Sequence, residues 1–266
     1  MKRAKTSRTR GFTLLELLIA TAIFMVICGV IFGLLNLAQR NYGSEAQMSG
    51  SFQEARLAVD QIVRDFNQSG YPALSMFSVI PANVASYAIG PVAWDPNYGT
   101  AICSLGTGGG GTCATPGDFD LIVETQTDPT GSVNWIRYQL LNGTLYRTVV
   151  PKFNGGDPVA ATSAPGIMVP FLTNVLNNGT PAQLAEITAT YPAMFPGGQP
   201  VPVFQYTCDT PTGPQPCTLA GVANSPYNVR DVDITLIVAT PVRDLQTQRL
   251  KLIELNGRGQ RLNPSN

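Results

Sequence analysis

One carboxylate, four cysteines and two neighbouring aspartates are the side chains of this 266-residue chain whose types and spacing point to chemistry. Glu16 stands at the mouth of an uncharged apolar run, residues 17–39, where a carboxylate is costly unless it meets a cation or donors. Cys103 and Cys113 flank a glycine-rich stretch, and Cys208 and Cys217 flank a proline-rich one. Four thiols allow three disulfide pairings, of which the local ones, 103–113 and 208–217, are the simplest. Zinc is the competing use, but there is no close Cys-x-x-Cys pair and no histidine. Asp118 and Asp120, with nearby loop carbonyls, are weak candidates for calcium, the preferred reading being two solvated carboxylates at a strand edge. The lack of histidine also removes Ser-His-Asp and Cys-His catalysis and imidazole pH switching. Residues 106–111 fit G-x-G-x-x-G by letter, yet no strand precedes them and Pro116-Gly117 follow in place of a helix. No Gly-x-Ser-x-Gly, Walker lysine or acid dyad appears, so the chain reads as a non-enzyme without a resident cofactor.

The elements that must position Glu16 are legible in the composition. All 21 prolines lie at or beyond Pro72, which leaves the first 71 residues free to form helix. Residues 1–11 carry Lys2, Arg3, Lys5, Arg8 and Arg10 and no acid. These are five of 17 cations against 17 acids, so the chain beyond them carries about −5. The apolar run of 23 residues reaches roughly 34 Å as a helix, enough to cross a bilayer's hydrocarbon core. Its one Ala-x-Ala lies inside the run, which does not suit an ordinary cleaved secretory signal. Cations before the run and none until Arg40 place the N-terminus in the cytoplasm and the remainder outside. Cys28 within the run reads as a small apolar residue, and Gly29 and Gly33 make a small-xxx-small pattern for close helix contact.

Residues 40–70 continue the helix in amphipathic form. Met48, Phe52, Ala55, Val59, Ile62, Val63 and Phe66 fall on one face of a 3.6-residue helix, with Glu54, Arg56, Asp60 and Arg64 largely off it. Gly70 and Tyr71-Pro72 stop it.

The run Arg10-Gly11-Phe12-Thr13-Leu14-Leu15-Glu16-Leu17-Leu18 resembles the class III signal of type IV pilin-like proteins. That resemblance implies cleavage between Gly11 and Phe12 by a prepilin peptidase and N-methylation of Phe12. It also implies a pairing of Glu16 with the terminal amine of a neighbouring subunit in a fibre. The segments Gln39-Arg40-Asn41-Tyr42, Gln53-Glu54-Ala55-Arg56-Leu57-Ala58 and Arg64-Asp65-Phe66-Asn67-Gln68-Ser69-Gly70-Tyr71 are similar to PilW-type minor pilins. The J-type minor pseudopilin of type II secretion shares much of this outline. Many major pilins carry proline within the anchor where this chain has Gly33, which weighs against a major subunit.

The fold expected is α+β and pilin-like: a cleaved leader (1–11), a membrane or fibre-core half-helix (12–39), an amphipathic half (40–70) and a β-rich head (71–266). Strands are predicted at 119–127, 133–141, 144–150, 203–207, 229–240 and 249–255, in an antiparallel sheet with one face under the helix stripe. Asn142-Gly143 between two apolar runs predicts a type I′ hairpin. Trp94, Tyr98, Trp135 and Tyr138 suit either a binding surface for sugar or protein or, for Trp135 above all, core packing.

Three functions are consistent with these residues. The first is a minor pilin that primes or caps a type IV pilus. Its partners would be other minor and major pilins, the prepilin peptidase, an inner-membrane assembly platform and the bilayer, and its final place the cell surface. The second is a minor pseudopilin. The third is a pilus-associated adhesin or DNA-uptake subunit, against which the cations of the head are scattered: Arg137, Arg147, Lys152, Arg230, Arg243, Arg249, Lys251, Arg258 and Arg261.

Overall fold

The structure is a computed structural model that describes residues 13–94, 117–128, 131–164, 166–217, 228–244 and 247–262. Two compact units divide the chain, Met1–Gln47 and Met48–Asn266.

The proline-free stretch forms one helix, α1, over Leu14–Asn67. Thr13 starts it: its hydroxyl accepts from the Glu16 N–H at 3.2 Å, and Glu16 Oε2 accepts from the Thr13 N–H and hydroxyl, each at 3.0 Å. This reciprocal Thr-x-x-Glu exchange is a capping box, which satisfies donors a helix start leaves over. The helix stops before Gly70, whose φ of 76° suits a residue without Cβ, and Pro72 follows. In the second unit Ala55, Ala58, Val59, Ile62, Asp65 and Phe66 are buried, and Val63 packs against the core. Met48 and Phe52, expected in the same buried stripe, stay exposed because the cover given by the head begins at Ala55.

Among the described residues the head has two four-stranded antiparallel sheets where the sequence predicts one. The first runs β1 (Asp120–Thr125), β2 (Asn134–Leu141), β3 (Thr144–Pro151) and β4 (Val169–Leu172) in that order. The second is built from β5 (Phe204–Thr210), β6 (Gly213–Pro216), β7 (Val229–Ala239) and β8 (Leu252–Gln260), in the order β6-β5-β7-β8. Six strands fall in the predicted runs, whereas β4 and β6 carry prolines and do not look like strands. The β2–β3 hairpin turns at Asn142 (φ 48°) and Gly143 (φ 77°), with Leu141 opposite Thr144, as a two-residue primed turn requires. The described part of the head also holds two short α-helices, α2 (Pro158–Thr162) and α3 (Pro181–Thr188).

One core joins α1 to both sheets through residues such as Ile62, Phe66, Val123, Ile136, Phe204, Val232 and Ile234. The opposite face of the first sheet buries Ile122 and Trp135 against Ala93 and Trp94. The opposite face of the second sheet is half covered, with Ile237, Ala239 and Leu252 beneath Leu184, Ile187 and Phe195.

β8 extends past its predicted end through Asn256-Gly257-Arg258-Gly259, a sequence that looks like a loop. The reason is steric. A Cβ at 257 would sit 2.3 Å from Val59 Cγ1, and one at 259 would sit 2.9 Å from Phe66 Cδ1. The two glycines let a helix lie directly on the strand.

Candidate functional site

The N-terminal site is Glu16 and the apolar surface that follows it. Gly11 and Phe12 lie outside the described residues. Glu16 is oriented by Thr13, as above, and then every large apolar side chain from Leu14 to Leu37 is exposed, from 82% at Leu14 to 46% at Leu37. An ordinary protein surface does not present such an unbroken apolar helix to water, so lipid or other helices must be its solvent. A Cβ placed on Gly29 or Gly33 would meet nothing within 4 Å, so any close packing there involves another chain. Cys28 is half-buried with a free thiol.

The second half of α1, from Met48 on, belongs to the same unit as the head. A polar clamp fixes that half. Tyr138 on β2 stands opposite Arg147 on β3, and both reach the buried Asp65 of α1. The Tyr138 hydroxyl donates to Asp65 Oδ2 at 2.6 Å, Arg147 Nη2 donates to the same oxygen at 2.8 Å, and Arg147 Nε donates to the Tyr138 hydroxyl at 2.9 Å. Gln61 donates to the other carboxylate oxygen at 2.7 Å. Burial first, and then the Asp65 charge, push the Tyr138 phenol well above its ordinary range, so it stays a donor. At the helix end, Asn67 Oδ1 accepts from Gln260 N–H at 2.8 Å, tying α1 to β8.

This clamp is not among the sequence-based expectations, although a signal was present: Asp65 is an acid inside an apolar stripe, which calls for a partner. Gly257 and Gly259 are not among them either, although their spacing of two puts both on one strand face.

The remaining candidates are distributed as follows. Cys208 and Cys217 form a disulfide with Cα atoms 5.0 Å apart, closing the β5–β6 hairpin inside the core. Cys103, Cys113, Tyr98 and the 106–111 stretch lie outside the described residues. Asp118 is exposed, and its carbonyl accepts from Val203 and Phe204. Asp120 faces inward to Arg137, whose Nε and Nη2 donate to its two oxygens at 2.9 and 2.5 Å, with Gln139 adding a third bond at 3.0 Å. Burial raises this carboxyl above the usual range against the opposing pull of Arg137. A calcium ion there would have to displace a guanidinium, and the described residues contain no group of three metal-ligating side chains. Trp94, Trp135 and Tyr138 are all buried, so none of them offers a binding surface.

Eight of the nine head cations bring their own carboxylate. Arg137, Arg147 and Lys152 pair with Asp120, Asp65 and Glu124, and Arg243 and Lys251 pair with Glu186 and Asp244. Arg230, Arg258 and Arg261 share Asp209, Asp231 and Asp233. Neutralised in this way, they do not make the free basic face that nucleic acid requires.

Comparison with known families decides how the N-terminal geometry is read. Residues 6–32 match the prokaryotic N-terminal methylation motif. The match begins before Gly11, covers the capping box and most of the exposed apolar helix, and supports a pilin-type protein processed by a prepilin peptidase. Neither the curated proteins nor the solved structures yield a match to the chain.

Proposed function

We propose that the chain is a non-enzymatic minor subunit of a pilin-type fibre, with a PilW-like role in priming or capping a type IV pilus. The observation that carries this reading is the methylation motif running directly into a helix whose apolar half has no cover of its own. In this account the precursor sits in the inner membrane with its basic leader in the cytoplasm and its head outside. A prepilin peptidase cuts between Gly11 and Phe12, and Phe12 is methylated. Glu16 then meets the new amine of a neighbouring pilin, a pairing of opposite charges that rewards correct axial register in a low-dielectric fibre core. The assembly platform and the other pilins are its partners. The Cys103–Cys113 pairing belongs to the same proposal, as an oxidised loop of an exported head.

Three measurements test it. Intact mass of the mature chain should begin at Phe12 with one added methyl; an uncut Met1 overturns the assignment. A deletion strain should lose surface pili and twitching, whereas loss of secreted enzymes with pili intact assigns the subunit to a secretion pseudopilus. In the Glu16→Ala strain, export and head folding should persist while piliation falls.

A further inference from the structure

Each sheet of the head has two edge strands, and three of the four are closed to another strand. The outer side of β1 is hydrogen-bonded to the chain before it: Gly70 and Ala93 donate to the Glu124 and Ile122 carbonyls, and Glu124 donates to Pro91. β4 is four residues long and contains Pro170. In β6, Cys217 N–H points inward to Tyr206, so positions 214 and 216 point outward, and both are proline.

β8 has no such block. It runs nine residues in unbroken register with β7 and contains no proline. Arg261 N–H donates to Arg230, and the Lys251 carbonyl accepts from Thr240, so odd-numbered residues face β7 and even-numbered ones face away. At one end the outward N–H of Gln260 is capped by Asn67. Leu252, Glu254, Asn256 and Arg258 remain, with N–H and C=O directed outward and no backbone partner among the described residues. The side chains of Glu254, Asn256 and Arg258 are exposed, on the face away from α1. A row of unpaired backbone groups of this length is a template for strand pairing.

We propose that β8 is a docking edge that takes an extended strand of a partner polypeptide, added antiparallel to the second sheet. The charges of the edge state the chemistry of that partner: a basic residue opposite Glu254, an acidic one opposite Arg258, and apolar residues at the alternate positions that share the α1 side with Ile253 and Leu255. Arg258 keeps Asp231 at 2.6 Å yet is more than half exposed, so its guanidinium can meet a second acid. A second copy would present this charge order, Glu254 against Arg258 around a central Asn256. Strands paired in that way are related by a two-fold axis perpendicular to the sheet, which runs the 48–67 parts of the two α1 helices in opposite directions. The occupant proposed is a separate polypeptide, and pairing between two copies is an outcome of the test.

The test uses the full chain in detergent micelles and a fluorescent synthetic peptide with the sequence of β8. Read antiparallel, the peptide has the required charge order. Saturable binding is expected, with slowed hydrogen exchange at the Glu254, Asn256 and Arg258 amides. A peptide with its Glu and Arg interchanged should bind about tenfold more weakly, since like charges then face each other. Glu254→Pro removes one outward donor and should weaken binding roughly tenfold with an unchanged circular dichroism spectrum. If that variant does not fold, the exchange measurement on the unaltered chain still decides. Unslowed amides at saturating peptide, equal binding of the charge-interchanged peptide, or undiminished binding to folded Glu254→Pro each overturn the proposal. Disulfide-linked homodimers of Asn256→Cys in membranes also overturn it, by giving the edge to a second copy.

Discussion

Two regions of a single helix treat apolar surface in opposite ways. From Leu14 to Leu37 the side chains of α1 bury nothing within the chain, while from Ala55 to Phe66 they form part of a closed core. Forming the helix is a local matter in both regions: no proline, a capping box at one end and Gly70 at the other. Burial is not local. It depends on an opposing surface, and the head supplies one through two side-chain-free positions of β8 and an acceptor-seeking pair on β2 and β3. The difference teaches that hydrophobicity assigns a residue to a non-aqueous place without saying whose.

The largest break in that comparison should come from the clamp. Asp65→Ala strands Tyr138 and Arg147 in partial burial, and head stability measured by urea unfolding in detergent should fall by about 3 kcal/mol. A fall below about 1 kcal/mol would mean that apolar packing alone holds α1. Replacing Cys208 and Cys217 together by serine should lower stability by about 2–3 kcal/mol, by freeing a short loop in the unfolded chain. Gly257→Ala should cost about 1–3 kcal/mol by overpacking against Val59. Combining it with Val59→Ala should recover part of the loss, and strict additivity would argue against direct contact. At the small end, Phe52→Ala and Ile31→Ser should change head stability by less than about 0.5 kcal/mol, because neither side chain is covered. A larger change from Phe52→Ala would show that the cover of the head reaches further along α1.

The long helix, its stop, six strands and the β2–β3 turn were legible in the sequence because each rests on local chemistry: proline placement, apolar period, Asn-Gly. Gly257 and Gly259 were not, since a glycine that admits a helix and a glycine that makes a turn look alike until the helix is in place. Asp65 was hidden for a related reason. Its partners on the first sheet, Tyr138 and Arg147, are more than seventy positions distant, so an acid in the apolar stripe calls for a partner without saying which. The division into two sheets escaped notice because β4 and β6, the strands that close their edges, are built with prolines that argue against strand. Glu16 stood out from the start, yet its bonds to Thr13 depend only on three-residue spacing and say nothing of the chain it meets.

Asn67 has a mechanical consequence. By holding Gln260 N–H it joins the last turn of α1 to the last residues of β8, while Val59 and Phe66 lie over Gly257 and Gly259 in the same order along the strand. A pull applied along α1 therefore reaches β8 as shear, and the β7–β8 rungs resist together in place of opening one by one. Force spectroscopy on Asn67→Ala should read it as a lower rupture force at nearly unchanged equilibrium stability.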